Sequence, residues 1–311
     1  MLRQSPLLSE AERKRMANAD SSAMERALDQ GAKVWEESQF SETLAQAGQV
    51  PPALWVRGDV SVLSAPTVAI VGTRSATTYG KAVAQKFAER LSACGITIVS
   101  GGALGIDAAA HGGALSVAGK TVSVLATGID GAYPHNHRSL FQQIAEQGCL
   151  ISQFACGTKP DQYRFLQRNQ MIAALSDAVL VVEAPEVSGA LRTAGDAANL
   201  NRMVFVVPGN ISLTNFRGSH ALIRDGAMLV DHPDQIVETL GIEADEQANV
   251  SLEELPEHQR AIIQVLGDDP ISSEVIVDRT GLDVAVVSSE LTLLELEGLI
   301  LRDGIGYARK P

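Results

Sequence analysis

Short apolar runs that alternate with helix-length stretches predict an α/β chain: a mostly parallel sheet with helices on both faces, preceded by a short helical segment and followed by three helices and a hairpin. Three observations carry this. Seven β-branched runs recur from residue 67 onward: TVAIVG (67–72), ITIVS (96–100), TVSVLAT (121–127), CLIS (149–152), AVLVVE (178–183), MVFVVPG (203–209) and AMLV (227–230). The stretches between them, such as YGKAVAQKFAERLSACG and GIDAAAHGGALSVAGK, are long enough for helices. The runs are apolar almost throughout, as strands buried on both faces must be, rather than alternating apolar with polar. Right-handed crossovers then gather the loops that follow the strands on one edge of the sheet, where such folds bind ligands.

Residues 1–40 read as helix, with Leu8, Met16, Met24, Leu28 and Trp35 spaced on helical faces among many charges. The piece PPALWVRGD within 41–66 reads as extended and is expected to pack onto the first strand. The acidic stretch GIEADEQANVSLEELP reads as a linker. Beyond it PEHQRAIIQVLGD, SSEVIVDRTG and VAVVSSELTLLELEG give three helices, and LILRDGIGYARK turns at Asp303-Gly304, which together predict a winged helix. The expected organisation is a helical segment at 1–50, a Rossmann-like domain at 51–242, a linker at 243–255 and a winged helix at 256–311.

Of 311 residues, 45% are hydrophobic and only 4% aromatic, so the core must be aliphatic. No apolar run approaches the roughly 18 residues a membrane span needs, and the N-terminus MLRQSPLLSEAERKRM lacks the apolar block of a secretory signal. Cys94, Cys149 and Cys156 show no disulfide or metal spacing, which fits buried thiols in a reducing cytoplasm; no metal or cofactor is expected. The net charge of −12 argues against a nucleic-acid partner when taken alone, but it is unevenly spread. Glu243 to Pro311 holds 15 acids and 5 bases, whereas residues 1–242 hold 22 acids and 20 bases. The central domain is therefore nearly neutral and free to carry a local basic patch.

Three glycine-bearing loops follow strands and open helices. They are Gly72-Thr73-Arg74-Ser75, Ser100-Gly101-Gly102-Ala103-Leu104-Gly105 and Ser188-Gly189-Ala190-Leu191-Arg192-Thr193. Each offers backbone N–H groups at the positive end of a helix, with hydroxyls beside them, which is the chemistry of an anion site. Glycine lets oxygens approach the backbone closely. One such loop is an ordinary strand–helix turn, but three converging on one edge point to phosphate. The dinucleotide fingerprint and the Walker A sequence are both absent. Asp107 and His111, four apart, read either as a catalytic pair or, preferred, as helix capping and packing; no catalytic constellation emerges. A fourth element, residues 157–170, carries Lys159, Arg164 and Arg168 among Tyr163 and Phe165. Cations interleaved with rings suit a strand with exposed bases, the cations meeting phosphates and the rings stacking on bases. Arg74 would add a bidentate contact from the same edge.

These motifs together resemble the DprA/Smf family of DNA-processing proteins. The resemblance is close over about residues 50–240 and looser in the winged helix. It rests on VAIVGTR, IVSGGALGIDAAAHGGAL, TVSVLATGIDGAYPHN, FLQRNQMIAALS, VLVVEA, SGALRTAGDAA and FVVPGN, in that order. The resemblance implies a homodimeric protein that binds and protects single-stranded DNA and loads the RecA recombinase in natural transformation, without catalysis or cofactor. Carried over by motif, its DNA pocket would use Arg74, Ser100, Gly101, Gly105, Arg168, Asn169, Ser188, Gly189 and Thr193, with Phe165 nearby; the reading of the loops adds Gly102, Lys159 and Arg164. This chain has Leu104 where the family usually has arginine, Gln153 where it has glutamate, and Gln170 where it has arginine. Two cations are thereby missing, which weakens phosphate contact or loop anchoring. The alternative on the same glycine loops is a Rossmann-like nucleotide or sugar-phosphate hydrolase, set back by the missing acid–base groups. The winged helix, with ten acids and five bases from Pro256 on, reads as a protein-binding or dimer-supporting unit rather than a DNA reader.

Overall fold

The computed structural model describes residues 21–40, 44, 47, 50–242, 255–267, 269–296, 299–304 and 306–309. The chain divides into two compact units, Met1–Ala244 and Asp245–Pro311.

The first unit is built on a nine-stranded sheet. In chain order its strands are β1 (Lys33–Glu36), β2 (Ala53–Gly58), β3 (Thr67–Val71), β4 (Thr97–Ser100), β5 (Thr121–Leu125), β6 (Cys149–Ser152), β7 (Ala178–Val181), β8 (Met203–Val206) and β9 (Met228–Leu229). Their lateral order is β1-β2-β6-β5-β4-β3-β7-β8-β9. β3 to β9 are mutually parallel and correspond to the seven apolar runs. The helices are α1 (Ser21–Asp29), α2 (Thr78–Ala93), α3 (Ile106–Ser116), α4 (Arg138–Gln147), α5 (Gln162–Ala174), α6 (Gly189–Asn199), α7 (Arg217–Arg224) and α8 (Asp234–Thr239). The chain runs outward from β3 to β6 on one side, then crosses back to lay β7 against the other flank of β3. That reversal makes the gap between the loops after β3 and β7 the topological switch point of a Rossmann-like sheet.

Alternation along each strand feeds two cores. Ala69 and Val71 face one layer with Met171, Ile172, Ala190 and Ala194 of α5 and α6. Val68 and Ile70 face the other with Phe87 and Leu91 of α2 and Ile106 and Ala110 of α3. Each fully buried aliphatic side chain stabilises the fold by about 1.5–3 kcal/mol. α2 and α3 pack very closely: a methyl group at Gly113 would lie 2.4 Å from the Gln85 carbonyl oxygen.

The N-terminal region departs from the helix expected over residues 1–40. Among the described residues only Ser21–Asp29 is α-helical there, with a single 3-10 turn at Glu37–Gln39; residues 1–20, with Leu8 and Met16, lie outside them. Gly31 at φ +80° closes α1, and Lys-Val-Trp-Glu then forms β1. Trp35 is buried there and packs on Phe40 at 4.7 Å between ring centroids. The PPALWVRGD piece forms β2, and it pairs with β6 rather than the first parallel strand, because both flanks of β3 are taken by β4 and β7. β2 runs antiparallel to β6, covering what would otherwise be an open edge. Most of the proposed acidic linker, residues 243–254, lies outside the described residues.

The second unit contains α9 (Glu257–Val265), α10 (Ser273–Thr280), α11 (Val284–Leu296) and the antiparallel pair β10 (Ile300–Asp303) and β11 (Gly306–Arg309). Gly281 in the left-handed region turns α10 into α11. Ile262, Ile263, Ile276, Val287, Leu291, Leu294 and Ile300 close a small aliphatic core. Three helices and a hairpin make this a winged helix.

Candidate nucleic-acid interface

The site is assembled from the loops after β3, β4, β5 and β7, and from the first turns of α5. The β3 loop is held from beneath by Glu183, a wholly buried carboxylate just beyond β7. It accepts from the Thr77 hydroxyl at 2.7 Å, from the Thr77 N–H at 3.1 Å and from Asn215 Nδ2 at 2.7 Å. Its own carbonyl accepts from the Thr73 N–H at 2.7 Å. Asn215 also donates to the Ser75 carbonyl, so the loop after β8 is tied to the same anchor. Glu183 and Asn215 do not stand out in the sequence; an acid ending an otherwise apolar run is the signal that marks the first of them.

The β4 loop is held by Asp107 and Arg168. Asp107, in the first turn of α3, accepts from the N–H groups of Gly101 and Ala103 at 3.2 and 3.3 Å. Burial pushes its carboxyl up, opposed by the charge of Arg168 and by those two N–H bonds. Arg168 is 4% exposed. Its Nη1 donates to the carbonyls of Gly101 at 2.5 Å and Val124 at 3.0 Å, and its Nε to Asn169 Oδ1 at 3.1 Å. Burial lowers its pKa, against the pull of Asp107. A methyl group at Gly101 would fall 1.7 Å from Nη1, so glycine there makes room for the guanidinium. Gly105, at φ +83°, would place a Cβ 2.3 Å from the Thr73 carbonyl oxygen, and this close approach locks the β4 loop against the β3 loop.

His111 does not pair with Asp107. It is wholly buried, with Nδ1 2.7 Å from Thr121 Oγ1. Thr121 gives its own hydrogen to the Ile98 carbonyl, so Nδ1 must be the donor to it. Burial first, then the charges of Arg168 and His137, hold His111 down to about 3, keeping it neutral. Both residues of the possible catalytic pair are therefore committed to holding the fold.

Several residues expected to touch DNA are buried and bonded within the protein. Ser100 is fully buried and donates to the Ile70 carbonyl at 2.7 Å. Thr193 is 1% exposed and donates to the Gly189 carbonyl. Arg168 is spent on backbone carbonyls, and Gly102 is buried with Phe141 where a side chain would sit. Polar side chains at a parallel sheet's edge are drawn inward because loop carbonyls there need donors. Ser188 caps α6 by accepting from the Ala190 N–H, Gly189 is exposed beside it, and Asn169 spans from Arg168 to the Gly189 carbonyl.

What faces outward is a ring-and-cation cluster. Arg74 is exposed and lies over the half-buried Phe165, its guanidinium carbon 4.7 Å from the ring centroid. Tyr133, in the loop after β5, reaches Phe165 at 5.8 Å and is 40% exposed. Sequence reasoning missed Tyr133, although it lies inside the motif TGIDGAYPHN. These three residues, with Gly101, Leu104 and Arg168, line a cleft of about 60 Å³. Leu104 is an exposed wall of that cleft. Lys159 is exposed, and Arg164 is tethered to the Lys159 carbonyl at 2.7 Å, so the two cations stand together at the entry to α5. A larger hollow of about 810 Å³, bordered by Arg57, Ile129 and Phe141, touches none of the three glycine loops.

The fold and this edge define a Rossmann-like protein with glycine-bearing loops at its switch point, and a winged-helix unit. The model of DNA recombination-mediator protein A matches residues 31–241, and that of the DprA winged helix domain matches residues 246–304. The chain belongs to the DprA/Smf family. It is 40% identical over 278 residues to the putative DNA processing protein DprA of Mycobacterium tuberculosis, covering 84% of this chain and 72% of that one. It is 37% identical over 273 residues to protein Smf of Escherichia coli, covering 83% and 72%. The structure is similar to that of DNA processing protein A from Streptococcus pneumoniae (TM-score 0.66, 32% identity, covering 72% of this chain and 80% of that one). It also resembles the Helicobacter pylori protein described for its single-stranded DNA binding mode (TM-score 0.61, 31% identity, covering 67% and 95%).

Proposed function

We propose that this DNA-processing family member is a single-stranded-DNA-binding recombination mediator that protects incoming DNA and loads a RecA-type recombinase during natural transformation. The observation that carries the reading is the Arg74–Phe165–Tyr133 cluster, which sets a cation for phosphate beside two rings for bases. Lys159 and Arg164 extend the cationic side, and Gly189 opens the N-terminus of α6 toward the same edge. The roles of Ser100, Gly101, Gly102, Gly105, Arg168, Asn169 and Thr193 are to hold that edge in shape; Ser188 and Gly189 offer an anion site. The loops serve binding rather than turnover, since Asp107 and His111 are both engaged internally. Action as a homodimer in the cytoplasm follows from the family reading.

The test is fluorescence anisotropy with labelled oligo-dT at low and moderate salt. Single strands should bind more tightly than duplex of equal length, and Tyr133→Ala should weaken binding by about 1–3 kcal/mol, the range for loss of one stacked base. Absence of single-strand binding at low salt would sink the proposal. Recombinase loading is tested separately by strand exchange on DNA coated with single-strand-binding protein.

A further inference from the structure

We infer that the winged-helix unit is a protein-docking module whose occupant is a basic amphipathic helix of another protein, received on the outer face of α11. This inference stands apart from the nucleic-acid reading. A winged helix that reads DNA inserts its second helix-turn-helix element, here α11, into the major groove, and such elements carry cations. α11 carries none: its sequence is VAVVSSELTLLEL. Its inner side, Val287, Leu291 and Leu294, is spent on the unit's own core. Its outer side repeats the spacing of a packing face, with Ala285, Ser289, Thr292 and Leu293 all exposed at i, i+4, i+7 and i+8.

That outer face is less polar than its composition. Ser289 donates to the Val286 carbonyl at 2.9 Å and Thr292 to the Ser288 carbonyl at 3.0 Å. Both hydroxyl hydrogens are therefore turned back onto the helix and withheld from a phosphate. Leu293 is 45% exposed and Val284, at the start of the helix, 64%. Small residues between these apolar ones let a second helix approach closely, because interaxial distance follows side-chain size.

The rim supplies the charge argument. Asp283 and Glu295 are exposed and Glu290 half-buried on the flanks of the face. The described bases of the unit lie on other elements: Arg260 donates to the Leu255 carbonyl, Arg279 ends α10, Arg302 stacks over Tyr307, and Arg309 is on β11. A face of small and apolar side chains bordered by acids is complementary to a helix with apolar residues at helical spacing and lysine or arginine along its edges.

The experiment uses the full chain and a labelled 18-residue helical peptide with leucines at i, i+3, i+4 and i+7 and lysines elsewhere. A permuted peptide of equal composition, with its leucines scattered around the helix, is the control. Leu293→Glu and Ala285→Arg are measured beside the parent chain after melting curves show that each is folded. The parent should bind the patterned peptide at least tenfold more tightly than the permuted one. Both variants should lose at least tenfold, although they change the charge in opposite directions. Equal binding of the two peptides, or an undiminished affinity in either variant, would overturn the proposal. So would loss of oligonucleotide binding on Leu293→Glu, which would assign the helix to nucleic acid. Self-association abolished by Ala285→Arg would make the occupant a second copy and overturn it too.

Discussion

Arg168 and Arg74 share one ring and one cleft, yet the first is buried and bonded to backbone carbonyls while the second is exposed, and replacing each in turn separates structure from the proposed binding. Arg168→Met removes three donated hydrogen bonds, leaving the carbonyls of Gly101 and Val124 and the Asn169 side chain without their donor. It also strips the buried Asp107 carboxyl of its cation. Leaving a buried carbonyl without its donor typically costs about 1–3 kcal/mol; two are left so here, and the loss of the charge near Asp107 adds to it. Arg74→Ala removes an exposed side chain, for which a stability change within about 0.5 kcal/mol is usual. Urea denaturation measures both. Binding is read from the slope of log affinity against log salt, which falls by roughly 0.7 for each phosphate of a single strand that is no longer neutralised. Arg74→Ala should lower that slope while leaving the denaturation midpoint in place. Arg168→Met should shift the midpoint sharply. If Arg168→Met were as stable as the parent and its salt slope fell by roughly 0.7, the guanidinium would be a phosphate ligand, and its role as a brace for the β4 loop would be refuted.

Leu104→Arg should place a cation on the cleft wall beside Arg74, tightening oligo-dT binding and steepening the salt slope by roughly 0.7; anisotropy at several salt concentrations checks this. Gly105→Ala should cost more than about 1 kcal/mol, since its φ of +83° is strained for alanine and the new methyl meets the Thr73 carbonyl; chemical denaturation reads the loss. His111, held down to about 3 against 6.5 in an unfolded chain, favours folding fully above pH 6.5. That contribution is lost as pH falls from 6.5 toward 3, by up to about 1.4 kcal/mol per unit, because the unfolded chain takes a proton that the native site refuses. A His111→Gln chain should show a shallower decline of stability with pH across that window.

The sheet was legible because parallel strands buried on both faces must be apolar from end to end, and TVAIV or AVLVV has no other reading. β1 was not, since Lys33-Val34-Trp35-Glu36 is four residues long and half charged, and only its pairing with β2 makes it a strand. The glycine loops were legible as an edge that holds anions. Which polar residue turns out and which turns in was not, because that depends on carbonyls brought together by the fold. Ser100 lies against Ile70 and Arg168 against Val124, partners 30 and 44 residues away that no local pattern reveals. Tyr133 escaped notice for the converse reason: it sits in a loop without lysine or arginine, and only the packing of α5 brings Phe165 to it.

The crossing-back of the chain also sets an order of events during synthesis. β2 can form its register with β6 only after about 95 further residues have been made, as the pairing of Val56 with Ile151 requires. β3 waits longer still for β7, whose Ala178 aligns with Val68. Until then the nascent chain presents two open, strongly apolar strand edges, one of them at the centre of the future sheet. Long-range pairing of this kind is slow and exposed to aggregation. Substitutions in β7 should therefore lower the yield of folded chain more than equally buried substitutions in α2, which closes against its neighbours early.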